Sequence, residues 1–284
     1  MRSIKTLPTS SCFWLAQLKL RLITLVLLLL YVPLCAQVSS DLRFNHLTTS
    51  NGLASNFVTS TLQDKEGFLW VATHNGLNRY DGYQFKKYSS IEGDQSSISS
   101  NQVNTLYEDS KDNLWIGTYG AGICRYDQLH DRFIRYADKK KIYVFWEDSG
   151  QTLWAAGDFF LGFFNESKKD FEQIEWTIEL GNIMGVSKAA LKDNIWIATE
   201  ANGLYLYDCN ARKITQHYLP NGKNGISSEK LYNVFVGSEN KVWIGTVDSG
   251  MDCLDLTSGL FTNYRHQKEN PNSLPINTVT SFLE

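Results

Sequence analysis

The sequence predicts an all-β chain folded as a β-propeller segment, with about five complete four-stranded blades and a partial sixth in an incomplete ring. Three observations carry that expectation. An apolar-Trp-small motif is written five times, as Leu69-Trp70-Val71-Ala72-Thr73, Leu114-Trp115-Ile116-Gly117-Thr118, Leu153-Trp154-Ala155-Ala156-Gly157, Ile195-Trp196-Ile197-Ala198-Thr199 and Val242-Trp243-Ile244-Gly245-Thr246. The tryptophans lie 45, 39, 42 and 47 residues apart, within the roughly 40–50 residue period of propeller blades. The residue two after each tryptophan, namely Ala72, Gly117, Ala156, Ala198 or Gly245, stays small. Wedge-shaped sheets packed about an axis demand this, because they approach closely where the wedge narrows and a larger side chain would clash. Five unrelated hairpins predict no such fixed position.

In the first copy the expected strands are Phe57–Gln63, Phe68–Thr73, Gly76–Asp81 and Tyr83–Tyr88. Asp, Asn and Gly fall between them, where hairpins need left-handed or side-chain-bonded residues. Leu69 to Ala72 are apolar without alternating, which reads as a strand covered on both faces. The same layout repeated along the chain gives blades at about 56–88, 101–136, 140–174, 181–218 and 226–265. A partial blade is expected from 276, completed by residues 42–47. Phe44 to Leu47 resembles a last strand without a blade before it, and Thr278 to Leu283 resembles a first strand without a blade after it. The chain therefore reads as the N-terminal portion of a longer protein.

Residues 1–36 are of another kind. Arg2, Lys5, Lys19 and Arg21 precede the apolar run Leu22–Leu34, and Cys35-Ala36 follows, the pattern of a secretory signal cleaved after Ala36. An uncleaved membrane anchor is the alternative, since the segment is long for a signal and Leu34 is large for its place. A lipoprotein attached through Cys35 is disfavoured by the same leucine. Without the signal, 27 basic and 30 acidic residues become 23 and 30, a net charge of −7 for residues 37–284. A mildly acidic body argues against nucleic acid and anionic membrane as ligands. Cys124, Cys209 and Cys253 are an odd number without metal spacing, and read as structural thiols.

Little in the chain points to catalysis. His46, His74, His130, His217 and His266 are scattered, and none stands at a familiar spacing from a Ser, Cys or carboxylate. Turns such as Asp64-Lys65-Glu66-Gly67 and Asp109-Ser110-Lys111-Asp112-Asn113 faintly resemble calcium loops but lack the following acidic ligand. They read as solvated hairpin turns, so no metal and no cofactor is expected. Trp70, Trp115, Trp154, Trp196 and Trp243 have apolar neighbours and read as packing between blades rather than as sugar platforms. The loops after the tryptophan strands vary while the strands do not, which is how a fixed frame acquires a binding surface. The candidate ligand-binding residues are therefore His74, Tyr119, Asp158, Phe159, Phe160, Glu200, Asn202 and Asp248. Phe159 and Phe160 stand out, because two loop aromatics are costly to expose unless they stack on something. Packing of one or both under a neighbouring blade is the competing reading.

The first repeat carries Ser50-Asn51-Gly52-Leu53-Ala54-Ser55-Asn56, Leu62-Gln63-Asp64, Gly67-Phe68-Leu69-Trp70-Val71-Ala72-Thr73 and Asn75-Gly76-Leu77-Asn78-Arg79-Tyr80-Asp81-Gly82. It resembles the two-component regulator propeller repeats in the periplasmic half of hybrid sensor histidine kinases from polysaccharide-using bacteria. The likeness runs over most of residues 42–284. Copies three and four depart, with Gly157-Asp158-Phe159-Phe160 in place of the Thr-x-x-Gly turn and a shortened hairpin at Leu191-Lys192-Asp193. The resemblance implies a periplasmic sensor segment of an inner-membrane protein with a second propeller, a β-sandwich, one membrane span and cytoplasmic kinase, receiver and DNA-binding modules downstream. It implies an oligosaccharide ligand, signalling through a homodimer to transcription, and no enzymatic activity in this chain, which contains no kinase or receiver motif. A secreted propeller lyase or hydrolase, and a protein-interaction scaffold, are the rival functions.

Overall fold

The computed structural model describes residues 44–175, 180–189, 193–221 and 224–283. The expected signal at 1–36 lies outside the described residues. Twenty strands form five separate four-stranded antiparallel sheets, each a simple meander. The first holds β1 (Val58–Gln63), β2 (Leu69–Thr73), β3 (Gly76–Tyr80) and β4 (Phe85–Tyr88). The second holds β5 (Val103–Glu108), β6 (Leu114–Thr118), β7 (Ile123–Asp127) and β8 (Arg132–Tyr136). The third holds β9 (Ile142–Glu147), β10 (Leu153–Gly157), β11 (Phe160–Asn165) and β12 (Asp170–Gln173). The fourth holds β13 (Ile183–Lys188), β14 (Asn194–Thr199), β15 (Leu204–Asp208) and β16 (Lys213–Tyr218). The fifth holds β17 (Leu231–Val236), β18 (Lys241–Thr246), β19 (Met251–Asp255) and β20 (Leu260–Tyr264). The fold is the all-β propeller segment that the repeat implies.

The core lies between the sheets, in four apolar clusters that each join two consecutive blades. The tryptophan of one blade packs on the third strand of the next. Trp70 meets Tyr126 with ring centroids 4.9 Å apart, Trp115 meets Phe164 at 5.2 Å, and Trp154 meets Tyr207 at 6.2 Å. Trp196 shares its cluster with Leu254. Those four indoles are buried, whereas Trp243 is half-buried and meets the Tyr264 ring of its own blade at a tilt, 5.9 Å between centroids.

The small residue two positions on faces the first strand of the following blade. Ala72 shares a cluster with Val103, Ala156 with Ile183 and Ala198 with Leu231. A Cβ on Gly117 would lie 2.6 Å from Thr105 Cγ2 and 2.9 Å from Ile142 Cγ2, so only glycine fits there. The turn after the tryptophan strand is tied to the next blade by backbone as well. The amides of Gly76, Gly122 and Gly203 donate to the carbonyls of Asn101, Lys140 and Glu229 at 2.6–2.9 Å, and that of Gly250 donates to Asn277 in the segment after the fifth blade.

On the opposite edge the hairpins of the first three blades reach forward. Lys65 N donates to Glu108 Oε1 (3.1 Å), Ser110 N to Glu147 Oε2 (2.9 Å) and Ser149 N to Asp193 Oδ1 (3.0 Å). The Asp residues read from sequence as solvated turns have a second role. Oδ2 of Asp64, Asp109 and Asp148 accepts the indole N–H of Trp70, Trp115 and Trp154 at 2.7, 2.7 and 2.9 Å, while Oδ1 accepts backbone amides of the same turn. Their oxygens are thus taken up inside the hairpin. Cys124, Cys209 and Cys253 are buried free thiols.

A sixth sheet does not form among the described residues. Residues 44–47 and 276–283 carry no strand. The later segment nevertheless runs along the fifth blade, with Val279 N donating to Thr246 O at 3.0 Å and Val279 O facing Gly245. Sheets three and four, whose sequences depart most from the repeat, keep all four strands.

Candidate functional site

The turns that follow the second strand of each blade share one face with the segments leading into the first strand of the next, because isolated antiparallel bridges join Tyr119 to Lys141 and Asp158 to Asn182. These bridges gather a polar cluster across blades two, three and four. Lys141 Nζ pairs with Asp158 Oδ2 at 2.8 Å and sits 4.5 Å from the Tyr119 ring centroid. Tyr119 lies 6.4 Å from Tyr143, ring to ring. Asn182 Nδ2 donates to Glu200 Oε2 at 2.5 Å.

The electrostatics follow from that packing. Hydrogen bonding to Asp158, then to Tyr119, holds the Lys141 ammonium above its ordinary value. Burial first, and the Asp158 carboxylate second, push the Tyr143 phenol up, with Tyr119 and Glu200 adding to the shift. Lys141 is therefore charged and Tyr143 neutral at physiological pH. Two acceptors in the cluster, Asp158 Oδ1 and Asn182 Oδ1, are buried and have no hydrogen-bond partner. A buried polar atom left unpaired costs about 1–3 kcal/mol.

Next to them stands Phe159, 67% exposed and at φ +49°. The other four turns reach positive φ on glycine alone, at Gly76, at Gly120 and Gly122, at Gly203 and at Gly250. A bulky side chain in the left-handed region costs about 1–2 kcal/mol, and strain of that kind concentrates where a binding surface needs a side chain held outward.

The residues expected from sequence separate into groups. Tyr119 (49% exposed), Asp158, Phe159 and Glu200 all belong to the cluster or flank it. Phe160 does not. It opens β11, is 2% exposed and packs with Trp115, Ile123 and Ile142 between blades two and three, so no ligand reaches it. Strand alternation explains the split, since adjacent residues leaving a hairpin point to opposite faces. Asn202 braces the blade-four turn, with Nδ2 donating to Leu180 O and its carbonyl meeting His217 Nε2 at 2.9 Å. His74 stacks on Phe57 in blade one at 4.0 Å, and Asp248 binds the neighbouring Ser249 hydroxyl. Lys141, Tyr143 and Asn182 are missing from the sequence reading. They lie at the entry to the first strand of the next blade, and only the bridges bring them to the variable turns.

Five meander sheets packed in sequence, with variable turns on one face, define the class as a β-propeller. Residues 52–75 and 97–120 match the family described as two component regulator propeller. A stretch of 70 residues is 43% identical to Histidine kinase P4 of Formosa agariphila, covering 25% of this chain and 5% of that protein. Among solved structures, an extracellular domain assigned to a hybrid two component system of B. thetaiotaomicron superposes with a TM-score of 0.56 at 22% identity, over 84% of this chain and 39% of that one. PorZ, a surface component of the type-IX secretion system of Porphyromonas gingivalis, gives 0.57 at 15% identity over 79% and 35%. A catalytically inactive virginiamycin B lyase from Staphylococcus aureus gives 0.57 at 16% identity over 77% and 72%. At these identities the solved structures share the fold, and this chain spans well under half of the first. Among the described residues no helix is long and apolar enough to cross a membrane.

Proposed function

We propose that this propeller is the exported, ligand-sensing portion of a hybrid two-component sensor histidine kinase, and that its turn face binds an oligosaccharide whose capture is relayed across the membrane to control transcription. The observation that carries the reading is the part-exposed Lys141–Asp158 ion pair set beside the exposed rings of Tyr119 and Phe159. Sugar hydroxyls bond to charged side chains of this kind, and the C–H faces of a pyranose pack on aromatic rings. The two-component repeats and the histidine kinase likeness supply the signalling context. Coupling would follow from differential affinity: a ligand that binds one geometry of a receptor dimer better than another shifts the dimer toward it.

The lyase likeness supports a secreted propeller enzyme by fold only. None of the described histidines enters the cluster, so the protein is read as a binder without a cofactor.

Calorimetric titration of the purified chain with plant and algal oligosaccharides tests this. Tyr119→Ala and Asp158→Ala should each weaken binding about tenfold or more, the worth of one good hydrogen bond or stacking contact at 1.4 kcal/mol. Phe159→Gly should weaken binding while keeping or raising stability, because glycine adopts positive φ without strain. Ligand recovered intact after long incubation is expected. Unchanged affinity in all three variants would remove this face from the function, and cleaved ligand would favour the enzyme.

A further inference from the structure

We propose a second binding site, independent of the turn face: the cleft between blades four and five takes an uncharged aromatic small molecule. This cleft has a volume of about 560 Å³. The clefts on the hairpin side of the first three interfaces measure about 230, 150 and 170 Å³. Small-molecule pockets run from roughly 300 to 1,000 Å³, so the fourth cleft alone among these reaches that size.

The sequence explains the space. The residue paired with the repeat tryptophan across the second and third strands is Arg79 in blade one, Arg125 in blade two and Phe163 in blade three, but Leu206 in blade four. The Arg79 guanidinium reaches across the first cleft, 4.5 Å from the Phe68 ring centroid and donating to Tyr126 Oη at 3.2 Å. In the fourth cleft both of these partners are shortened. Leu254 stands where blade two has Tyr126, each paired with the equivalent phenylalanine of the last strand, Phe261 or Phe133. Trp196, Leu206 and Leu254 are buried at the inner end, Tyr218 is half-buried, and Leu256 is 36% exposed. Leu256 takes the place of Gln128, which donates to Glu66 of blade one at 2.6 Å.

The lining names the class of occupant. Carboxylates and Lys or Arg side chains line each of the first three clefts, whereas none of the described residues lining the fourth is charged. An ion entering it would lose water and meet no counter-charge, which is costly. An uncharged ring system instead packs on Leu206, Leu254 and the rings of Trp196 and Tyr218. The exposed side chains of Gln216, Asn240 and Thr257 supply donors and acceptors for one polar substituent at the rim.

Fluorescence titration of the full chain with N-phenyl-1-naphthylamine, an uncharged fluorophore of this class, tests the site. Saturable binding is expected, and 1-anilinonaphthalene-8-sulfonate, the same ring system carrying a sulfonate, should bind about tenfold or more weaker. Leu206→Arg restores the side chain of blades one and two, fills the cleft and should weaken binding of the uncharged probe by about tenfold or more. Leu256→Gln changes an exposed residue, leaves the core untouched and should weaken it several-fold. Leu129→Gln, at a leucine of blade two that is 85% exposed, should leave it unchanged. Binding that does not saturate, equal affinity for the sulfonate, or affinity that Leu206→Arg and Leu256→Gln alter no more than Leu129→Gln does would overturn the proposal.

Discussion

At the scale of single residues, the indole N–H shows how a repeat stores one bond many times and then drops it. Trp70, Trp115 and Trp154 each donate to the Asp six residues earlier, whereas six residues before Trp196 the sequence has Ala190, and Trp196 Nε1 is buried without a partner. Replacing tryptophan by phenylalanine removes the same ring area from both kinds of site but has opposite polar consequences. At Trp70 the change strips Asp64 Oδ2 of its donor, and at Trp196 it removes an orphan. Trp70→Phe should therefore cost about 1–3 kcal/mol more than Trp196→Phe in urea unfolding, the penalty for an unsatisfied buried partner. Equal costs would mean that the Asp–indole bond is exchanged freely for water. The spacing was in plain view in three copies of the sequence. It has no meaning, however, until the hairpin register pairs Gln63 with Leu69 and Leu62 with Trp70 and so brings the turn back over the indole. Phe159 and Phe160 were legible as unusual but not as different from one another, because which of two neighbours faces the core is settled by where the turn ends.

Blades one and two are clasped at the outer strands by Asp131, on the turn between β7 and β8. It pairs with Lys86 of β4, and its Oδ1 accepts the phenols of Tyr88 (2.8 Å) and Tyr126 (2.7 Å). Burial raises the carboxyl, but the bonds from Lys86, Tyr126 and Tyr88 together outweigh it and bring it down to about 2. A folded-state value below the unfolded one means that the clasp stabilises the protein fully above about pH 4, and that this stability is lost as pH falls through about 2. The side chain is 43% exposed, so the contribution is discounted for solvent screening to about 1 kcal/mol. Asp131→Asn should thus be less stable than the parent at pH 6 by about that amount, with the gap narrowing between pH 4 and pH 2 and gone below. A gap independent of pH, read from urea midpoints across that range, would place the effect in packing instead of charge. Strand positions were legible to within a residue or two in the first blade, since turn chemistry and apolar runs mark them. The clasp was not, because it joins residues 43 to 45 apart that share no motif.

For the molecule as a whole, the four apolar clusters and the backbone ties all join consecutive blades, so stability is approximately a sum of blade terms and nearest-neighbour interface terms. The period alone discloses this much, which is why the architecture was the most legible feature of the sequence and the polar cluster on the turn face the least: the cluster depends on bridges between blades, and no local pattern announces them. Such a chain is cooperative only while every interface is intact. Gly117 is the place to break one, because a side chain there would have to displace Thr105 within its own sheet and Ile142 in the third blade at once. Gly117→Val should therefore loosen blades one and two from blades three to five and split unfolding into two urea transitions. Hydrogen exchange should show amides of β5 and β6 opening separately from those of β13 and β14. Overpacking of this kind costs about 1–3 kcal/mol, occasionally more, which is enough to uncouple an interface without dissolving the blades beside it. A single transition, coincident by fluorescence and circular dichroism and merely shifted to lower urea, would show instead that the blades fold as one unit and that coupling does not run through this interface alone.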